Sequence, residues 1–96
     1  MALREGCNRF KIQKDKIAHR LINNEVVILH LERGLYFSLN KTATFIWKLI
    51  EQGRDLGQMS EAFAKRFECK EAEAIKDVNV LIGDLEKEGL IDKIKK

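Results

Sequence analysis

The stretch from Val26 to Trp47, VVILHLERGLYFSLNKTATFIW, constrains this chain more than any other, because its hydrophobic period changes partway from two to about 3.6. Branched residues over Val26–Leu31, interrupted only by His30, suit a crowded strand surface. After Glu32-Arg33-Gly34 a second run, Leu35–Leu39, follows at once. Gly34 can take the positive φ that a tight turn often needs, so the pair predicts a β-hairpin. Leu35, Phe37 and Leu39 fall on one face of its second strand, with Tyr36 and Ser38 on the other. Asn40 stops the alternation, since its side chain can accept a bond from a free amide at the start of a helix. A hairpin alone is not stable, and the rest of the chain must cover its apolar face.

Ninety-six residues allow one domain with one modest core. A composition that is 45% hydrophobic and 34% charged, without proline, describes a folded domain and not a disordered tail. The net charge of +3 is unevenly placed. Residues 1–20 carry six basic and two acidic side chains, against nine basic and eleven acidic over residues 51–96. The basic excess therefore belongs mostly to an amino-terminal arm, residues 1–16. This arm reads either as disordered or as a first strand, since the alternation Phe10, Ile12 is too short to decide. No apolar run is long enough to cross a membrane, and Met1–Arg9 lacks the apolar segment of a signal peptide, so a cytoplasmic protein is expected.

Residues 17–96 form the expected domain. Ile17–Ile22, closed by the turn pair Asn23-Asn24, is a first strand candidate. Together with residues 25–31 and 35–39 it predicts a three-stranded antiparallel meander, with the second strand apolar on both faces. From Lys41 the pattern is helical. Ala43, Ile46, Trp47 and Ile50 share a face, and Gln52-Gly53 closes that helix. Leu56, Met59, Ala62, Phe63 and Phe67 mark a second helix of about twelve residues. The third, 71–88, gathers Ala74, Ile75, Val78, Leu81, Ile82 and Leu85 into one stripe, with Asp77, Asp84 and Glu88 along its Leu81 side and Val80 pointing away. Gly89 supplies its stop, and Leu90, Ile91 and Ile94 tuck back against the core. The fold class is α+β, three strands followed by three helices.

No constellation for catalysis emerges. His19 and His30 have no nucleophile or ligand partner at a recognisable spacing, and Cys7 and Cys69 read as free thiols without metal-ligand spacing. Gly53 and Gly57 do not form a phosphate loop. No metal or cofactor is expected. A small winged-helix regulator that binds nucleic acid is the alternative reading, since three short helices and a hairpin can build one. Its recognition helix would be residues 71–88, which carry six acidic and two basic side chains and would repel a duplex. Only the arm, with Arg4, Arg9, Lys11, Lys14, Lys16 and Arg20, offers a positive patch.

The run Gly34-Leu-Tyr-Phe-Ser-Leu-Asn40 leads into Thr42-Ala43-Thr44-Phe45-Ile46-Trp47, and Asp77-Val78 precedes Leu81, Leu85 and Gly89-Leu90. In this order and spacing, over about residues 17–92, the chain resembles the PqqD family, the small partner protein of pyrroloquinoline quinone (PQQ) biosynthesis. The same fold recognises other ribosomally made, modified peptides (RiPPs), including lasso peptides. The resemblance implies a winged-helix-like domain without enzymatic activity. It would bind the leader of a precursor peptide and present it to a modifying enzyme acting in trans, a radical S-adenosylmethionine enzyme or a leader peptidase. In that family the leader is an added strand, lying between the third strand and the third helix. Carried onto this sequence, the edge is Leu35, Tyr36, Phe37, Ser38 and Leu39. The opposite wall is the helix from Ala74 to Leu85, with Asp77, Val78, Leu81, Asp84 and Leu85 as its site residues. An unpaired edge gives a physical reason, because an extended peptide can satisfy its amides and carbonyls. An acidic margin at Asp77, Asp84 and Glu88 would favour a basic leader.

Overall fold

The structure, a computed structural model, describes residues 9–94. Its elements are β1 (Phe10–Ile12), β2 (Ile17–Ile22), β3 (Glu25–His30), β4 (Leu35–Ser38), α1 (Lys41–Glu51), α2 (Leu56–Arg66), α3 (Glu71–Lys87) and β5 (Ile91–Lys93). The meander is antiparallel in the order β2-β3-β4, which leaves β4 at one edge. Asn23 and Asn24 both take positive φ, 51° and 66°, as a two-residue hairpin turn demands. Gly34 does the same at 66° in the second turn. Val26, Ile28 and His30 point inward from β3 and are buried, while Val27 and Leu29 are half-buried on the outer face. With the three helices that follow, this is a winged-helix-like α+β fold, as expected.

The change of period at Asn40 is a helix cap. Asn40 Oδ1 accepts from Ala43 N at 2.9 Å, and α1 starts one residue later. Thr44, buried in that helix, joins sheet and helix: its Oγ1 accepts from Val26 N at 3.0 Å and donates to Leu39 O at 3.1 Å. Asp55 and Gln58 make a capping box at the start of α2. Lys70 gives α3 no such side-chain cap, though Glu71 and Glu73 complement the dipole in its first turn. The core gathers Ile28 from the sheet, Ile46 and Trp47 from α1, Met59 from α2, Val78 from α3, and Leu90 and Ile91 beyond it.

A second, two-stranded sheet lies outside the expected meander. β1 pairs antiparallel with β5, Phe10 opposite Lys93 and Ile12 opposite Ile91. Phe10, Ile12 and Ile91 are buried, and Arg9 Nε donates to Gly53 O at 3.2 Å. Of the arm read from the sequence, residues 10–12 are thus a strand, whereas residues 1–8, with Cys7, lie outside the described residues.

Candidate functional site: a groove between β4 and α3

The hydrogen-bond ladder decides which backbone groups of β4 are free. Leu39 N donates to Val26 O and Gly34 N to His30 O, each at 2.8 Å, and Phe37 stands opposite Ile28 between them. In an antiparallel ladder alternate residues bond to the same neighbour, so the amides and carbonyls of Tyr36 and Ser38 face away from β3. No strand covers that side. Across from it runs α3, whose Asp77, Val80, Leu81 and Asp84 fall at i, i+3, i+4 and i+7 on one face.

Between these walls lies a groove of about 460 Å³. Ser38 and Leu39 supply the strand side, and Asn40, Thr42 and Ala43 at the start of α1 close the end. Phe63 reaches in from α2. Leu39, Ala43 and Phe63 are core residues whose edges form an apolar floor. Asp77 and Asp84 border it, exposed and without an ion-pair partner among the described residues. The expected third carboxylate is engaged elsewhere. Arg33, in the β3–β4 turn, donates through Nη1 to Glu88 O at 2.9 Å and pairs through Nη2 with Glu88 Oε1 at 3.3 Å. That contact ties the hairpin to the carboxyl end of α3, where a cation is favoured by the helix dipole. A larger hollow, about 640 Å³, is lined by residues 10–15 with Ile50, Glu51 and Gly53, and contains no residue of β4 or α3.

Of the residues expected at the site, the groove brings together Ser38, Leu39, Asp77, Leu81 and Asp84. Leu35 and Phe37 share the inward face of β4 with Leu39, Phe37 half-buried against the core and Leu35 exposed opposite His30. Tyr36 sits on the other face of the sheet, 72% exposed. Val78 and Leu85, 0% and 4% exposed, belong to the core behind the wall of α3 and offer a ligand almost no surface. Sequence reasoning missed Asn40, Thr42, Ala43, Phe63 and Val80. Val80 carried a usable signal: an aliphatic residue outside the core stripe, three residues after one carboxylate and four before another. Among the described residues no cluster of His, Cys, Asp or Glu could hold a metal ion.

The family model for Coenzyme PQQ synthesis protein D (PqqD) matches residues 25–91, which spans both walls of this groove. The chain belongs to the PqqD family. Among solved structures it is similar to TbiB1 in complex with the TbiA(beta) leader peptide, at 27% identity and a TM-score of 0.81. That match covers 90% of this chain and 99% of the other. It is also similar in fold to lasso peptide synthetase B1 complexed with the leader peptide, at 21% identity and a TM-score of 0.80, over 88% of this chain and 98% of that one. A comparison with curated proteins by sequence returns no match.

Proposed function

We propose that this PqqD-family chain is a non-catalytic peptide chaperone. It binds the leader of a ribosomally made precursor as an added strand on β4 and presents it, in the cytoplasm, to a modifying enzyme acting in trans. The observation that carries this reading is the unpaired edge of Tyr36 and Ser38, which faces α3 across an apolar-floored groove. Main-chain bonds to that edge give affinity with little sequence demand, and the groove supplies selectivity through alternate side chains. The TbiB1 structure, similar over nearly its whole length, holds a leader peptide, which supports the same use of this fold here. A radical S-adenosylmethionine enzyme or a leader peptidase fits the role of the acting partner, in PQQ biosynthesis, lasso peptide maturation or a related RiPP system.

The rim tells what the leader should carry. Asp77 and Asp84 stand seven residues apart on α3, about 10 Å along the axis. A leader with a basic residue beside the groove answers that charge. Asp84→Lys should weaken binding of such a leader by about 0.5–2 kcal/mol, the scale of one partly screened charge contact. Calorimetry with the leader and with its charge-reversed counterpart measures this, and an unchanged affinity in both titrations would remove Asp84 from the site.

A further inference from the structure

β2 is the longer of the sheet's two outer strands, and its free side is open. Lys16 O accepts from Leu31 N at 2.8 Å. Alternate residues of an antiparallel ladder bond to the same neighbour, so Ala18, Arg20 and Ile22 bond to β3. The amides and carbonyls of Ile17, His19 and Leu21 therefore face away. Among the described residues no strand pairs with that side, and every residue from Ala18 to Ile22 is exposed. Proteins commonly blunt such an edge with proline, a bulge or an inward-pointing charge. This chain has no proline, and the register with β3 runs unbroken from Ile17 to Ile22. Leu21, opposite the buried Val26 on the core side of the sheet, is left 50% exposed at the margin.

We propose that β2 pairs antiparallel with β2 of a second copy of this chain, joining two three-stranded sheets into one of six strands. The strand is self-complementary. Centred on His19, the pairing sets Ile17 opposite Leu21 of the second copy and Ala18 opposite its Arg20. Apolar side chains then meet on the core side, Leu21 is covered, and no two like charges stand opposed. Centring on Arg20 would bring two guanidiniums together at a close, non-hydrogen-bonded position, which is unfavourable. Centring on Leu21 would run the second copy into the Asn23-Asn24 turn, where both residues take positive φ. The edge is also held in place before pairing, which lowers the entropic cost of association. His19 makes a T-shaped contact with Trp47, ring centroids 5.3 Å apart, and its Nε2 lies 3.9 Å from Glu51 Oε2. β4 suits a second sheet less well, because α3 stands across the groove and leaves room for a single strand. In the six-stranded sheet both β4 edges remain outermost, five strand spacings or about 24 Å apart. Each copy thus keeps its own groove, and the inference does not depend on what the groove binds.

The test is sedimentation equilibrium of the whole chain over a range of concentrations, with amide exchange measured on the same samples. The mass should rise from 11.1 kDa toward twice that value as concentration increases. Over the same range the amides of His19 and Leu21 should gain protection, while those of Ala18 and Arg20, already bonded to β3, should not change. Two variants fix the register. Leu21→Lys puts a charge at the margin of the core face and should weaken association roughly tenfold. Ala18→Glu places a carboxylate opposite Arg20 of the second copy at two symmetric positions, and should strengthen association several-fold. Because it predicts a gain, Ala18→Glu keeps the test decisive should Leu21→Lys fold poorly. A mass that stays at 11.1 kDa up to about 1 mM would overturn the inference. So would a dimer that protects Tyr36 and Ser38 instead of His19 and Leu21, or one that Ala18→Glu weakens. Leader binding is scored in a separate titration, and its failure would strike the functional reading while leaving the sedimentation result to stand alone.

Discussion

Thr44 shows how one side chain can hold the geometry that a binding edge requires. It sits in the first turn of α1, yet it takes the amide of Val26 and gives its proton to the carbonyl of Leu39, joining the start of β3 to the end of β4. A valine there keeps the shape and leaves two buried backbone groups without partners. Thr44→Val should therefore cost about 1–3 kcal/mol, the penalty of unsatisfied buried groups. Urea unfolding followed by the fluorescence of Trp47, the chain's one tryptophan, reads this directly; a loss under half a kcal/mol would show that the rivet is dispensable. Residues such as Thr44 mark the limit of sequence reading. Its two partners lie 18 and 5 residues away, and nothing in the local pattern distinguishes it from Thr42, which lines the groove instead. Asp77 and Asp84 were legible as the stripe's margin because helical spacing fixes angle. Val78 and Leu85 share the stripe itself, and an apolar stripe reads the same whether the core covers it, as it does here, or a ligand does.

At the scale of elements, local signals sufficed wherever neighbours in sequence decide the conformation. The hairpin, the cap at Asn40 and all three helices follow from alternation, turn residues and helical stripes, and the structure matches the expected spans closely. β1 and β5 were not separable from irregular chain because each has three residues and each is made a strand by the other, some eighty positions away. The floor of the groove was hidden for the same reason, since Phe63 comes from α2 and Ala43 from α1. β4 itself carries a sharper expectation. The Ser38 amide faces the free side and takes no part in the ladder with β3, so Ser38→Pro removes a group that only an added strand would use. Leader affinity should fall at least several-fold, on the scale of one lost hydrogen bond, while the thermal melt shifts little. Unchanged affinity in this variant would place the peptide elsewhere.

For the whole molecule, charge separates peptide binding from the nucleic-acid alternative. The basic excess lies near the amino terminus, while the groove is bounded by Asp77 and Asp84 and its helix carries six acidic side chains over residues 71–88. Binding to duplex DNA would have to use the amino-terminal cations alone and would weaken steeply between about 50 and 200 mM salt. Leader binding, built on main-chain bonds and an apolar floor, should depend on salt only weakly; parallel titrations with duplex and leader at both salt levels compare the two. Among the described residues no helix is long and apolar enough to cross a membrane, and none of these surfaces needs one. The fold places its groove at the β4 margin of one small sheet and its second free edge, β2, at the other.

Amide hydrogen exchange, followed residue by residue with and without the leader, tests the central claim most directly. If the leader adds as a strand to β4, the amides of Tyr36 and Ser38 become protected on binding, because they alone in that strand lack a partner in the free chain. Leu35, Phe37 and Leu39, which face β3, change less, and the exposed face of α2 around Lys65 does not respond. Protection confined to α2 or to the outer edge of β2, with Tyr36 and Ser38 exchanging as fast as before, would contradict strand addition at β4.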